Sequence, residues 1–149
     1  MAEKFEFASE PWLRLAGQIL ELATARAGAA IAGERLCVAE VFTDPPAHIA
    51  DPGTRQVAWS FRIDDGRATT RRGAAADADY AVRADYQATL PGARAILGVT
   101  PEAIAARNAA RREAIASGRI QATGSLDNVS PAMRQVLLEL HNRLAEATA

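Results

Sequence analysis

The stretch Val57-Ala-Trp-Ser-Phe-Arg-Ile-Asp-Asp-Gly66 decides the fold. Val57, Trp59, Phe61 and Ile63 alternate with Ala58, Ser60, Arg62 and Asp64, which is the period of a half-buried strand with a bulky apolar inner face. Asp65-Gly66 suits a two-residue hairpin turn, because that turn needs positive φ. Residues 67–72 then return as a strand in which Arg67, Thr69 and Arg71 alternate with Ala68, Thr70 and Arg72. This strand has little to bury, so it is expected at an edge, where its charges discourage pairing with other chains.

Working upstream, the loop from Thr43 to Arg55 holds Pro45, Pro46, Pro52 and Gly53, which cannot continue a ladder. Before it, residues 35–43 read as a strand with Cys37, Ala39 and Val41 on one face and Leu36, Val38, Glu40 and Phe42 on the other. Residues 9–27 read as a helix. Ser9 caps it, Pro11 suits its first turn, and Gly28 ends it. Trp12, Leu15, Ile19, Leu22 and Ala23 give it one apolar face.

Downstream, residues 79–85 alternate again, with Tyr80, Val82 and Ala84 on one face and Asp79, Ala81, Arg83 and Asp85 on the other. A helical stretch starts near Tyr86, is interrupted at Pro91-Gly92 and pauses at Gly98-Val-Thr-Pro101. Thr100 and Pro101 then begin a helix that runs to about Ser117, where Gly118 stops it. Residues 119–126 form a last strand. Ser130 and Pro131 open a closing helix with Met133, Val136, Leu137, Leu140 and Leu144 as its apolar stripe. A hairpin inside a mixed series argues for an α+β fold with one mainly antiparallel sheet, one face covered by the first and last helices.

At 149 residues the chain suits one domain spanning 1–149, large enough to bury its own core. Aromatic residues are 5% of the chain and alanine is abundant, so Trp12, Phe42, Trp59 and Phe61 must carry much of the packing. Basic and acidic residues number 17 and 18, a net charge of −1, which argues against a nucleic-acid partner. All the basic residues but Lys4 are arginine, a bias that reads as the genome composition of a GC-rich bacterium. The single cysteine excludes an internal disulfide. No signal-like segment and no run of ~18 apolar residues is present, so a cytoplasmic location without a transmembrane segment is expected.

Side chains that carry chemistry are sparse. His48 and His141 lack neighbours at metal-ligand spacing, so no metal site is expected. Cys37 alternates with Ala39 and Val41, which reads as a buried, inert thiol. Asp77, Asp79 and Asp85 with Tyr80 and Tyr86 have the residue types of proton-transfer machinery, a carboxylate and a phenol. The plainer reading is a strand with a solvated outer face. Arg107, Arg111 and Arg112 make a basic patch able to hold a phosphate or carboxylate, or simply a solvated face.

Three segments, in order, resemble the sterol carrier protein type 2 family: the alternating strand and Asp-Gly turn of 57–66, the Ala-Asp-led strand Ala-Asp-Ala-Asp-Tyr-Ala-Val-Arg-Ala-Asp of 76–85, and Ser-Gly-Arg-Ile-Gln-Ala-Thr-Gly-Ser-Leu of 117–126 before the closing helix. With the flanking helices the similarity covers nearly the whole chain. The resemblance implies a five-stranded sheet with helices on one face and an apolar tunnel between sheet and helices. It implies binding of a sterol, fatty acid, fatty acyl-CoA or phospholipid, with no cofactor and no universal catalytic residue. The chain departs from the pattern in the longer segment Tyr86 to Gly118, in Ser125 where many members carry an acidic residue, and in the absence of a peroxisomal signal.

By apolar bulk in family-like positions, the expected ligand-binding residues are Trp59, Phe61, Leu90, Ile96, Leu97, Met133 and Leu137. A dry cavity of about 300 Å³ would cost roughly 7 kcal/mol, comparable to a domain's whole stability. Such a tunnel must therefore hold ligand or water, or collapse. The leading expectation is a non-enzymatic lipid carrier or presenter, a monomer or homodimer, with transient membrane contact. The alternatives are a small cofactor-free isomerase using Asp85 and a tyrosine, and an interaction domain with a vestigial pocket.

Overall fold

The computed structural model describes residues 2–149. Helix α1 (Glu10–Ala27) and a short 3-10 turn (Gly28–Ile31) precede strand β1 (Arg35–Thr43). The hairpin of β2 (Gln56–Asp64) and β3 (Arg67–Arg72) follows, then β4 (Tyr80–Asp85), α2 (Tyr86–Arg94), α3 (Pro101–Ala116), β5 (Ile120–Gly124) and α4 (Pro131–Ala147). The five strands form one sheet in the order β3-β2-β1-β4-β5. The β1–β4 pair is parallel and the other three pairs are antiparallel, so the fold is α+β with a mainly antiparallel sheet.

Local chemistry sets the ends of these elements. Asp65 and Gly66 both take positive φ, 50° and 78°, as the hairpin turn requires. Ser9, Thr100 and Ser130 each accept a hydrogen bond from a first-turn N–H, with proline following each in the first turn. Gly124 ends β5 with φ 76°; a Cβ there would lie 1.9 Å from the Asp79 carbonyl oxygen, so only glycine fits.

Register puts Leu36, Val38, Glu40 and Phe42 of β1 on the same face as Val57, Trp59, Phe61 and Ile63 of β2 and Tyr80, Val82 and Ala84 of β4. Helix α1 lies over the β2–β3 end of this inner face, and α4 packs against α1 and α2. The core runs through an aromatic chain, Phe7–Trp12–Trp59–Phe61, with ring centroids 5.2, 5.6 and 5.4 Å apart. The two ends of the chain meet beside it. Phe5 bridges to Thr148, and the Trp12 indole N–H donates to Thr148 Oγ1 at 3.0 Å.

Three features depart from the sequence reading. Strand β2 is buried on both faces from Val57 to Phe61 rather than half-buried. The connection between β3 and β4 crosses the outer face, where Ser60 Oγ donates to Gly73 O and accepts from Ala75 N. That crossing also makes β4 parallel to β1. Helix α2 continues through Pro91 instead of breaking there. Asp85 caps its start, Thr89 Oγ1 donates to Asp85 O, and Tyr86 anchors it to the core by donating to Phe7 O at 2.7 Å. Those anchors outweigh the lost backbone bond. Finally, Trp59, Phe61 and Met133 pack as core rather than lining an open tunnel. Two hollows, of about 210 and 160 Å³, lie instead between α1 and β3 and over the β2–β3 hairpin.

Candidate functional site

Glu40 is the one polar side chain among the four inner-face positions of β1. Its cross-strand neighbours are Trp59 on β2 and Val82 on β4, so a carboxyl group stands in an apolar wall. Heavy atoms crowd around it although a little of its surface reaches solvent. Burial pushes its pKa up to about 7, against the opposing pull of the Trp59 indole N–H and the Arg111 charge.

Helix α3 supplies the cation. Its inward stripe is Ala103, Arg107, Arg111 and Ala114, and the rest of the helix is exposed. The Arg111 guanidinium carbon lies 5.2 Å from the centre of the Tyr80 ring, a cation–π arrangement. Burial lowers the Arg111 pKa and the Glu40 charge raises it. Arg111 Nη2 is buried without a hydrogen-bond acceptor, and so is Trp59 Nε1. The indole N–H faces the Glu40 carboxylate without reaching hydrogen-bond geometry. One carboxyl poised near neutrality, one guanidinium and one indole donor thus share a patch of the inner face beneath α3. Together they can hold an anion, exchange a proton, or both.

Of the expected ligand-binding residues, Trp59, Phe61 and Met133 come together in the core, with Leu90 and Leu137 packed against it. Leu97 is half-buried. Its N–H donates to Asn142 Oδ1 at 2.8 Å, and Asn142 Nδ2 donates back to its carbonyl at 3.4 Å. That clamp draws Leu97 toward α4 and leaves Ile96 on the surface at 56% exposure, outside the core.

The carboxylates singled out in sequence have structural roles. Asp85 caps α2, Asp79 accepts from the Cys37 N–H, and Asp77 pairs with Arg62. Tyr86 donates to Phe7 O, and burial raises its pKa to about 12. Asp85 is thus engaged as a helix cap and the Tyr86 hydroxyl with the Phe7 carbonyl. His48 pairs with Glu6, and His141 donates to Ala95 O with its pKa lowered by burial. Cys37 is buried, and burial raises its pKa. Arg107 donates to Gly98 O and Arg111 turns inward, so only Arg112 of the basic patch stands free on the surface. Among the described residues no cluster of potential ligands could hold a metal ion, and no helix is long and apolar enough to cross a membrane. Sequence reading missed Glu40. Its signal was a lone glutamate in phase with Leu36, Val38 and Phe42.

Neither a protein-family model nor a curated protein matches the chain. Solved structures do. A conserved hypothetical protein from Thermus thermophilus, suggested to be a sterol carrier protein, aligns over 99% of this chain and 94% of its own, at 20% identity and a TM-score of 0.52. A crystal structure of sterol carrier protein 2 aligns over 96% of this chain and 100% of its own, at 19% identity and a TM-score of 0.53. With one five-stranded sheet and its helices on one face, matched from end to end, this chain has the fold of sterol carrier protein 2.

Proposed function

We propose that the chain binds an amphiphile with an apolar tail, of the fatty acid, acyl or sterol class, on the inner face of the sheet beneath α3, and carries or presents it. One observation carries this reading. The backbone of α3 approaches β5 and no other element, and Ala114 is its only buried residue. Beneath it, Tyr80, Val82, Ile120 and Ala122 are only half-buried. A helix held this loosely over an incompletely covered apolar surface can lift to admit a chain, each buried methylene of which contributes about 0.8 kcal/mol. The sterol carrier fold supports the same reading.

Native mass spectrometry of freshly purified protein, followed by organic extraction, tests it together with titration by the fluorescent fatty acid cis-parinaric acid. A co-purifying lipid, or saturable uptake that quenches tryptophan emission, is the expected result. A clean apo mass together with no saturable uptake would overturn the proposal.

A second reading keeps this binding face but makes it the site of a proton-transfer enzyme for a hydrophobic substrate. The observation in its favour is Glu40, whose pKa of about 7 suits a general base, whereas Asp85 is engaged as the cap of α2.

A further inference from the structure

We infer that Arg111 and Glu40 form the head-group site for a carboxylate-bearing amphiphile, Arg111 taking the anion and Glu40 taking up a proton as it binds. This rests on the apolar-ligand reading and names the ligand class within it.

At this place Arg111 Nη2 is buried without an acceptor, while Trp59 Nε1, in a side chain only 2% exposed, has only a marginal contact with the Glu40 carboxyl. Buried donors without partners are costly. A ligand carboxylate would satisfy the orphaned guanidinium donor, and its planar oxygen pair matches the guanidinium fork. Glu40 does not serve as that anion. It approaches closely enough to feel the Arg111 charge, yet the two do not close to an ion pair or hydrogen bond. Burial already favours its neutral form. The walls beside it, Val38 and Val82, are apolar and suit the start of an acyl chain.

The charge balance limits the ligand to a single negative charge. Besides Arg111, the neighbouring elements bring little to Glu40. From β4 comes the Tyr80 phenol, and from β2 the neutral indole of Trp59. Arg72 of β3, cross-strand from Trp59, engages Glu10 and Asp51 at 2.8 and 3.0 Å. Arg107 of α3 donates to Gly98 O. Helices α1 and α4 contribute Trp12 and Met133 to the core. A monoanion beside Arg111 and a neutral Glu40 leaves the site uncharged. A second negative charge would be buried without a partner.

The proton linkage follows from this. Above about pH 7 free Glu40 is ionised, so each bound carboxylate draws one proton from solvent, and affinity falls toward tenfold per pH unit. Between that pH and the ligand's own carboxyl range, roughly pH 4–5, Glu40 is already protonated and affinity is flat.

The test is calorimetric titration with decanoate and with decan-1-ol, both kept below their aggregation limits, in two buffers of different ionisation enthalpy. Decanoate is expected to bind with proton uptake and with affinity falling from about pH 7 to pH 9. Decan-1-ol is expected to bind with neither. Arg111→Met should weaken decanoate about tenfold or more and leave decan-1-ol unchanged. Glu40→Gln should hold decanoate at its low-pH affinity throughout and abolish the uptake.

Equal, pH-independent binding of both probes by the unmodified protein would overturn the head-group site while leaving the carrier reading standing. So would an Arg111→Met variant, folded by circular dichroism, that binds decanoate normally. If neither probe binds, both proposals fall. The proton uptake is read on the unmodified protein, so the test does not depend on any variant folding.

Discussion

At neutral pH and above, ionised Glu40 is expected to make the fold less stable than an uncharged residue would. Its native pKa of about 7 stands above the ordinary 4.5, so between those values the native state holds a proton that the unfolded chain has lost. Stability therefore falls as pH rises through this window and levels off above it. Removing the ionisable group removes the loss. Glu40→Gln is expected to raise stability at pH 8 by up to about 3 kcal/mol and to leave it nearly unchanged at pH 4. Urea melts of both proteins at the two pH values check this; equal gains at both would mean that the carboxyl is not desolvated.

At the scale of elements, α3 differs from the other long helices. Helices α1 and α4 each bury five or more side chains, whereas α3 buries Ala114 alone. Its inward stripe carries two arginines where the others carry leucine, isoleucine or methionine. Few buried contacts mean a low free energy of local opening. Backbone amides of α3 are therefore expected to exchange with deuterium at least about tenfold faster than those of α1 and α4. Exchange followed by mass spectrometry decides it. Equal protection would make α3 a fixed part of the core and remove the route proposed for ligand entry.

For the whole molecule, the junction of the chain ends matters most. Thr148 Oγ1 accepts from the Trp12 indole and donates to Leu144 O, joining α1 to the end of α4 in a buried setting. Thr148→Val keeps the shape and removes both bonds, leaving the Trp12 N–H unpartnered. A loss of about 1–3 kcal/mol is expected, which lowers Tm by several degrees in a domain of this size. Thermal unfolding measures it, and an unchanged Tm would show that solvent reaches the indole.

Elements were legible where the signal is local. The alternation of 57–63, the Asp65-Gly66 turn, and the Ser9, Thr100 and Ser130 caps each act within a few residues, and the chain builds each accordingly. The α+β class followed from their order. The sequence alone also placed Glu40 on the face of Leu36, Val38 and Phe42, and put Arg107 and Arg111 on one side of a helix. It did not show that Arg111 comes within reach of the Glu40 charge, that the β3–β4 crossing covers the second side of β2, that Pro91 stays helical, or that Asn142 clamps Leu97. Periodicity records which side of an element a residue takes. What that side meets, and so whether a carboxyl keeps its water and its charge, depends on segments far away in sequence, and only tertiary packing brings them together.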